Sequence, residues 1–235
     1  MEKKISVAMA VYNGEKYIKE QIDSILLQLS QYDELIISCD KSSDSTLKIL
    51  ENYSEDKRIK VIKGPSKGIL ENFANAIQNC NNEYIFLSDQ DDIWLEEKVK
   101  SVLDVFEKTN AIVVLHDAKI ADADLNILED SFFEKRGCQK GILKNIVKNS
   151  YIGCCMAFKS ELKSAILPIP KDIPMHDQWI GLLGEKFGNV EFLNKPLILY
   201  RRHGANLSAE THSGIITMIK WRISLIRNFF TRSRI

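Results

Sequence analysis

Five short apolar runs alternate with amphipathic helical segments over the first half of the chain, a rhythm that parallel βαβ units produce. Ile5–Tyr12 reads as a buried strand that stops at Asn13-Gly14. The helix after it carries Ile18, Ile22, Ile25, Leu26 and Leu29 on one face. Glu34–Cys39 is a second strand, followed by a polar turn rich in helix N-cap residues and a helix over Thr46–Tyr53. Ile59–Ile62 is a third, closed by Gly64-Pro65 and leading into a helix with Leu70, Phe73, Ala74 and Ile77 inward. Tyr84–Leu87 and Ala111–Leu115 are the fourth and fifth, joined by a helix over Glu96–Lys108 that buries Val99, Val102, Leu103 and Phe106. The pattern predicts an α/β fold with a Rossmann-like, mostly parallel open sheet covered by helices.

Ligands of such sheets bind beyond the carboxyl ends of the strands. The polar clusters of this chain fall there: Asn13-Gly14, Asp40, Gly64–Gly68 with Lys67, Ser88–Asp92, and His116-Asp117. His116-Asp117 reads equally as an acceptor contact or as a turn. Beyond residue 118 the rhythm breaks. A helix is expected over Gly141–Lys148, a buried strand over Gly153–Phe158, a helix over Asp177–Phe187 and a strand-rich stretch over Val190–Tyr200.

Asp89, Asp91 and Asp92 are three acids within four residues, directly after an apolar strand. Carboxylates that close repel unless a cation or hydrogen-bond donors hold them, and hard oxygen ligands suit Mg²⁺ or Mn²⁺. One acid is explained as a helix cap; three point to a metal that bridges phosphates.

Charge narrows the partners. The 32 Lys+Arg balance 32 Asp+Glu, so no basic excess advertises nucleic acid. The balance is uneven, because Ser213–Ile235 holds five basic residues and no acid, leaving the rest of the chain at net −5. Five cysteines, odd in number and without CxxC spacing, read as reduced thiols of a cytoplasmic protein, with Cys154 and Cys155 as core packing. The opening is too short in apolar residues for a signal peptide, and no run is long enough to span a bilayer.

The motifs SVAMAVYNG, IISCDKSSDST, SDQDDIW, HDQW and YRRHGANLS, in that order over residues 4–208, resemble glycosyltransferase family 2 and its GT-A fold. SDQDDIW, HDQW and YRRHG together most resemble its bacterial rhamnosyltransferase-like branch. The resemblance divides the chain into a GT-A domain over 1–212 and a basic C-terminal helix over 213–235. It implies Val11 and Tyr12 against the nucleotide base, Asp40 on base or ribose, and Asp89 near the ribose. It implies Asp91 on the metal, Arg201 and His203 near the diphosphate and metal, and Asp177 as the base that deprotonates the acceptor. The sequence departs from the family where two acids and a glycine are usual: Cys39, Asp40 and Lys41 stand there, which leaves Asp40 as the base contact and alters the turn.

The chemistry is consistent with that resemblance. Expelling a nucleoside diphosphate from a sugar carbon needs charge stabilisation on the leaving group and a base for the incoming hydroxyl. The expected activity is inverting transfer of a sugar, rhamnose from its thymidine diphosphate first and a uridine-diphosphate hexose or N-acetylhexosamine as alternative. The acceptor is a bacterial surface glycan or a lipid-linked one. A sugar nucleotidyltransferase would carry a Gly-rich basic loop where Asn13-Gly14-Glu15-Lys16 stands, and a non-catalytic binding subunit would have no need of Asp177. Asp177 reads alternatively as a helix N-cap, with His176 just before it. Trp94, His176 and Trp179 are acceptor-binding candidates, and for the tryptophans the alternative is core burial. His203 reads as a metal ligand or a solvated loop residue. The tail places Ile215, Met218, Ile219, Ile223, Ile226 and Phe230 at helical spacing with basic residues largely elsewhere. It suits an anionic membrane surface, the protein's own core or a dimer contact.

Overall fold

The computed structural model describes residues 3–204 and 214–233, so Ala205–Ser208 of the last motif and Arg234 lie outside the described residues. The chain forms β1 (Ile5–Val11), α1 (Ile18–Leu26), β2 (Glu34–Cys39), α2 (Thr46–Glu51), β3 (Ile59–Lys63) and α3 (Ile69–Asn79) in order. Then come β4 (Tyr84–Ser88), β5 (Ile93–Trp94), α4 (Lys98–Lys108), β6 (Ala111–Ala121), β7 (Ile127–Glu129), α5 (Phe132–Arg136) and α6 (Ile142–Val147). A single 3₁₀ turn at Gly153–Cys155 precedes β8 (Met156–Lys159), α7 (Lys163–Ile166), α8 (His176–Phe187), β9 (Asn189–Arg201) and α9 (Ile215–Thr231).

The strands make one sheet in the order β3-β2-β1-β4-β8-β6-β9-β5, with β7 on the edge of β6. β3, β2, β1 and β4 run parallel, as do β6 and β9. β8 enters antiparallel between β4 and β6, which the sequence pattern does not announce. Alternation along the strands feeds two cores. Ala8 and Ala10 of β1, Ile36 of β2 and Ile85 and Leu87 of β4 face α3 and α8, which supply Phe73, Ile77, Trp179 and Leu183. Val7, Met9 and Val11, with Leu35, Ile37 and Phe86, face α1 and α4, which supply Ile18, Ile22, Val102 and Phe106. Both faces of the parallel half are therefore covered, as its near-continuous apolar strands require.

The expected turn at His116-Asp117 is instead the middle of β6, which runs on to Ala121. The Asp117 carboxylate accepts from Ser131 Oγ (2.5 Å), Phe133 N (2.9 Å) and Ala118 N (2.8 Å). A polar pair is tolerated inside the strand because α5 is hung from it. α9 packs on the body through Leu225 and Phe229, both buried in the core that α8 lines. Lys186 of α8 holds the helix end by donating to Phe229 O and, at 2.8 Å, to Arg232 O.

Candidate active site

Because β1, β2 and β4 are parallel and in register, their ends deliver Asn13, Asp40 and Asp89 to one edge. The connections there are tied by side chains. Asn13 takes the left-handed conformation that asparagine tolerates (φ 48°), and its Oδ1 accepts from Ser43 N at 2.9 Å. Gln90, between the two acids of the DxD pair, spans the gap to β1: its Oε1 accepts from Tyr12 N (2.9 Å) and its Nε2 donates to Tyr12 O (3.0 Å). Asp40 Oδ1 accepts from Ser66 N at 2.7 Å, drawing the 64–68 turn over the strand ends. Gly64 permits that approach, since a methyl there would stand 2.7 Å from Asp40 N and closer still to its carboxylate. Gly64→Ala is expected to destabilise the chain by about 1–3 kcal/mol, the usual cost of overpacking. A urea midpoint equal to that of the parent chain would contradict it.

The acids of the DxD loop have three different environments. Asp91 Oδ2 lies 2.8 Å from His203 Nε2, both side chains nearly buried. Asp92 points inward and accepts from Arg201 N at 3.0 Å; burial and the Asp91 charge push its carboxyl up to about 7. Asp89 is half-buried, and burial with the charges of Asp92, Asp91 and Asp177 holds it well above the usual carboxylate range. Beneath them Lys98 is fully buried, donates to Cys154 O at 2.8 Å and sits 4.0 Å above the Trp94 ring. Burial lowers its amine to about 8. This internal cation faces the underside of a carboxylate cluster.

The Arg201 guanidinium is held by protein partners, among them the loop that carries Asp91. It donates to Asp91 O (2.9 Å), Ala123 O (2.9 Å) and Glu20 Oε2 (2.6 Å), and lies 4.4 Å over the Tyr17 ring. Residue 201 ends the strand pointing inward, so its cation orders the loop that carries Asp91. Tyr17 also stacks on His203, ring centres 4.8 Å apart.

A divalent cation fits this corner. Asp91 Oδ2 and His203 Nε2 share a hydrogen bond at 2.8 Å, and a carboxylate oxygen and an imidazole nitrogen are donor types that Mn²⁺ or Mg²⁺ accepts. Asp89, Asp92 and Cys154 also offer atoms within 4.8 Å of one another, but Cys154 is pushed well above the usual thiol range by burial. Sulfur is a soft donor and suits a hard cation such as Mg²⁺ or Mn²⁺ poorly.

Asp177 lies in the first turn of α8, and Met175, not Asp177, occupies the cap position. Its Oδ1 accepts from Gln178 N (2.5 Å) and from Asn149 Nδ2 (3.2 Å). Burial raises its carboxyl to about 6. A base poised near neutrality is what deprotonation of a sugar hydroxyl requires. The Asn149 bond favours the charged form, so Asn149→Ala is expected to move the acidic limb of the kcat profile up by about one pH unit. An unmoved limb with lowered kcat would show that Asn149 only supports the fold.

Three acceptor candidates do not reach the surface. Trp179 is wholly buried, donating from Nε1 to Ile166 O at 3.0 Å, and Trp94 is buried against Phe86. His176 is buried and stacked on Phe73 at 3.9 Å, its ring nitrogens without partners and its pKa lowered to about 3 by burial, so it is neutral. α8 is buried around most of its circumference, which turns His176 and Trp179 inward, while Trp94 is covered where β5 pairs with β9. Val11 is likewise in the core, its carbonyl taken by Asp40 N and Asn72 Nδ2. Tyr12, more than half exposed, is what the strand end presents; Lys67 is exposed on the 64–68 turn. Glu20, Tyr17, Gln90, Lys98 and Asn149 carry no motif of their own in the sequence, although Gln90 sits inside one.

The sheet, the acid-bearing loop after β4 and the buried acid opening α8 define a GT-A glycosyltransferase. The chain belongs to glycosyl transferase family 2, which it matches over residues 6–165. It is 30% identical to the dTDP-rhamnosyl transferase RfbG of Shigella flexneri, over 97% of this chain and 82% of that protein. It is also 30% identical to the UDP-Glc:α-D-GlcNAc-diphosphoundecaprenol β-1,3-glucosyltransferase WfgD of Escherichia coli, over 64% of this chain and 57% of that one. Among solved structures it resembles residues 1–349 of Staphylococcus aureus TarS in complex with UDP-GlcNAc, with a TM-score of 0.78 and 17% identity, over 99% of this chain and 68% of that one.

Proposed function

We propose that the chain transfers rhamnose from thymidine diphosphate rhamnose to a hydroxyl of a bacterial surface polysaccharide or lipid-linked glycan, in one inverting displacement. The observation that carries this reading is the Asp91–His203 pair on the loop whose Asp89 feels the charge of Asp177, a buried acid raised to about 6. The nucleotide lies along the β1, β2 and β4 ends, with Tyr12, Asp40, Lys67 and Asp89 as its contacts. Asp91 and His203 would hold Mn²⁺ or Mg²⁺, which when bound would supply positive charge against the diphosphate leaving group. Asp177 takes the acceptor proton as the acceptor oxygen attacks the anomeric carbon and the bond to the diphosphate breaks. No covalent intermediate is needed.

The donor choice is supported by the relative named a dTDP-rhamnosyl transferase. A uridine-diphosphate donor is the second reading, favoured by the UDP-GlcNAc bound in TarS. The name of WfgD includes a diphosphoundecaprenol acceptor, which supports a lipid-linked one here and work at the inner face of the plasma membrane. A donor panel of dTDP-rhamnose, UDP-glucose and UDP-GlcNAc tests this, read by nucleoside diphosphate release and by NMR of the product's anomeric configuration. Metal-dependent turnover of dTDP-rhamnose with inversion is expected. Turnover of a uridine-linked sugar alone would move the donor to the second reading, and retention of configuration would refute the single displacement.

A further inference from the structure

α9 has two apolar faces, and the body covers one of them. Leu225 and Phe229 are buried, whereas Ile219, Ile223, Ile226 and Phe230 are 49, 62, 38 and 73% exposed. Those four recur at i, i+4, i+7 and i+11, a stripe about 60° wide on a helical wheel. α6 lies alongside and exposes Leu143 (80%) and Val147 (66%) one turn apart. Arg222 of α9 joins the helices by donating to Val147 O at 2.8 Å.

The charges on the two segments themselves have one sign, although Glu191 pairs with Lys140 and Asp172 with Arg227 beside them. Residues 137–150 contain Lys140, Lys144 and Lys148 and no acid, and 214–233 contain Lys220, Arg222, Arg227 and Arg232 and no acid. At about 100° per residue, Arg222 falls on one side of the α9 stripe and Lys220 and Arg227 on the other. Arg227 pairs with the exposed Asp172 at 3.0 Å, which offsets part of the charge on that side and leaves it chiefly to Lys220. An apolar stripe flanked on both sides by cations complements an anionic bilayer surface. It suits a second copy poorly, because pairing two such faces sets like charges together, and protein interfaces are depleted of lysine.

We infer that α6 and α9 form a docking face for an anionic lipid bilayer, holding the Asp177 side of the cleft at the membrane surface. The helices that make this face support the base directly. Asn149, two residues beyond α6, donates to Asp177, and α8, which carries Asp177, packs against both α6 and α9. An acceptor anchored in lipid then meets the base close to where it leaves the bilayer. The bearing on the acceptor rests on the proposed transferase reading; the docking itself does not.

The test is co-sedimentation of the whole chain with vesicles of phosphatidylcholine alone or with phosphatidylglycerol, across a salt series. Binding only to the anionic vesicles, weakening as salt rises, is expected. Ile223→Ser with Phe230→Ser should abolish it, and Lys144→Glu or Lys220→Glu should each weaken it at least roughly fivefold. All four positions are exposed, so circular dichroism and nucleotide binding should match the parent chain. Absence of binding, or undiminished binding by the double variant, would overturn the inference. So would a dimer in solution that Phe230→Ser dissociates. Transfer to a water-soluble acceptor, assayed without vesicles, separates the two readings: transfer without vesicle binding sinks only the docking face, and vesicle binding without transfer sinks only the enzymatic assignment.

Discussion

Asp177→Asn is expected to leave donor binding unchanged, to lower turnover about 10²–10⁴-fold and to make the folded chain more stable. The first two effects follow from its proposed role as the base: the amide keeps the shape and the oxygen that Asn149 and Gln178 N contact, but cannot accept the acceptor's proton. The third follows from its burial. Its carboxyl is raised from 3.8 to about 6, so the folded chain holds that proton more tightly than the unfolded one. The stability this contributes is complete below about pH 4 and is lost as pH rises through 6. At pH 8 the buried carboxylate therefore carries a cost on the order of 3 kcal/mol, which asparagine removes. Thermal unfolding should show the variant ahead above pH 6 and level with the parent chain near pH 4. A variant no more stable at pH 8, or one that keeps its turnover, would remove Asp177 from the role of buried base. For the parent enzyme the same acid predicts a kcat that falls below about pH 6.

His203→Ala is expected to cost about 10²–10³-fold in turnover, as losing charge stabilisation of a leaving group does. His203 stands on the segment after β9, touching Asp91 and the Tyr17 ring, so its removal leaves the strand intact. Asp91→Asn should match it, because either change removes one of the two donors proposed to hold the ion, and the double variant should be little worse than each single one. Nucleotide binding in the two variants should lose its response to Mn²⁺. Additive losses would instead mean that Asp91 and His203 act separately. Arg201→Ala is a different case: its guanidinium ties β9 to the DxD loop and to α1, and loss of folding is the expected result.

The parallel half of the fold was legible because each strand is a short apolar run ended by Asn-Gly, Asp or Gly-Pro. Those same stops marked the edge where Asp40, Asp89 and Asp91 gather. Beyond residue 118 the pattern failed for identifiable reasons. His116-Asp117 looks like a turn in isolation, and only the Ser131 and Phe133 donors, more than ten residues on, let it continue as strand. Trp94, Trp179 and His176 are amphipathic residues beside acids, so their neighbours suggested a surface that the packing of β5 and α8 denies them. The protein partners of Arg201, Glu20 and the Ala123 carbonyl, come from distant segments that the sequence pattern does not connect to it. In α9 the spacing revealed the exposed stripe but not the second face, since Leu225 and Phe229 fall at the same helical period one face away.

On the proposed function, a divalent cation held by Asp91 and His203 would help seat a nucleoside diphosphate at the β1, β2 and β4 ends. Calorimetric titration of thymidine diphosphate and uridine diphosphate into the chain, with and without Mn²⁺, tests it most directly, with His203→Ala alongside. Mn²⁺-dependent binding of one nucleotide is expected, thymidine diphosphate if rhamnose is the sugar, with loss of that dependence in the variant. Binding of neither nucleotide by a folded sample, or binding indifferent to both Mn²⁺ and His203, would contradict it.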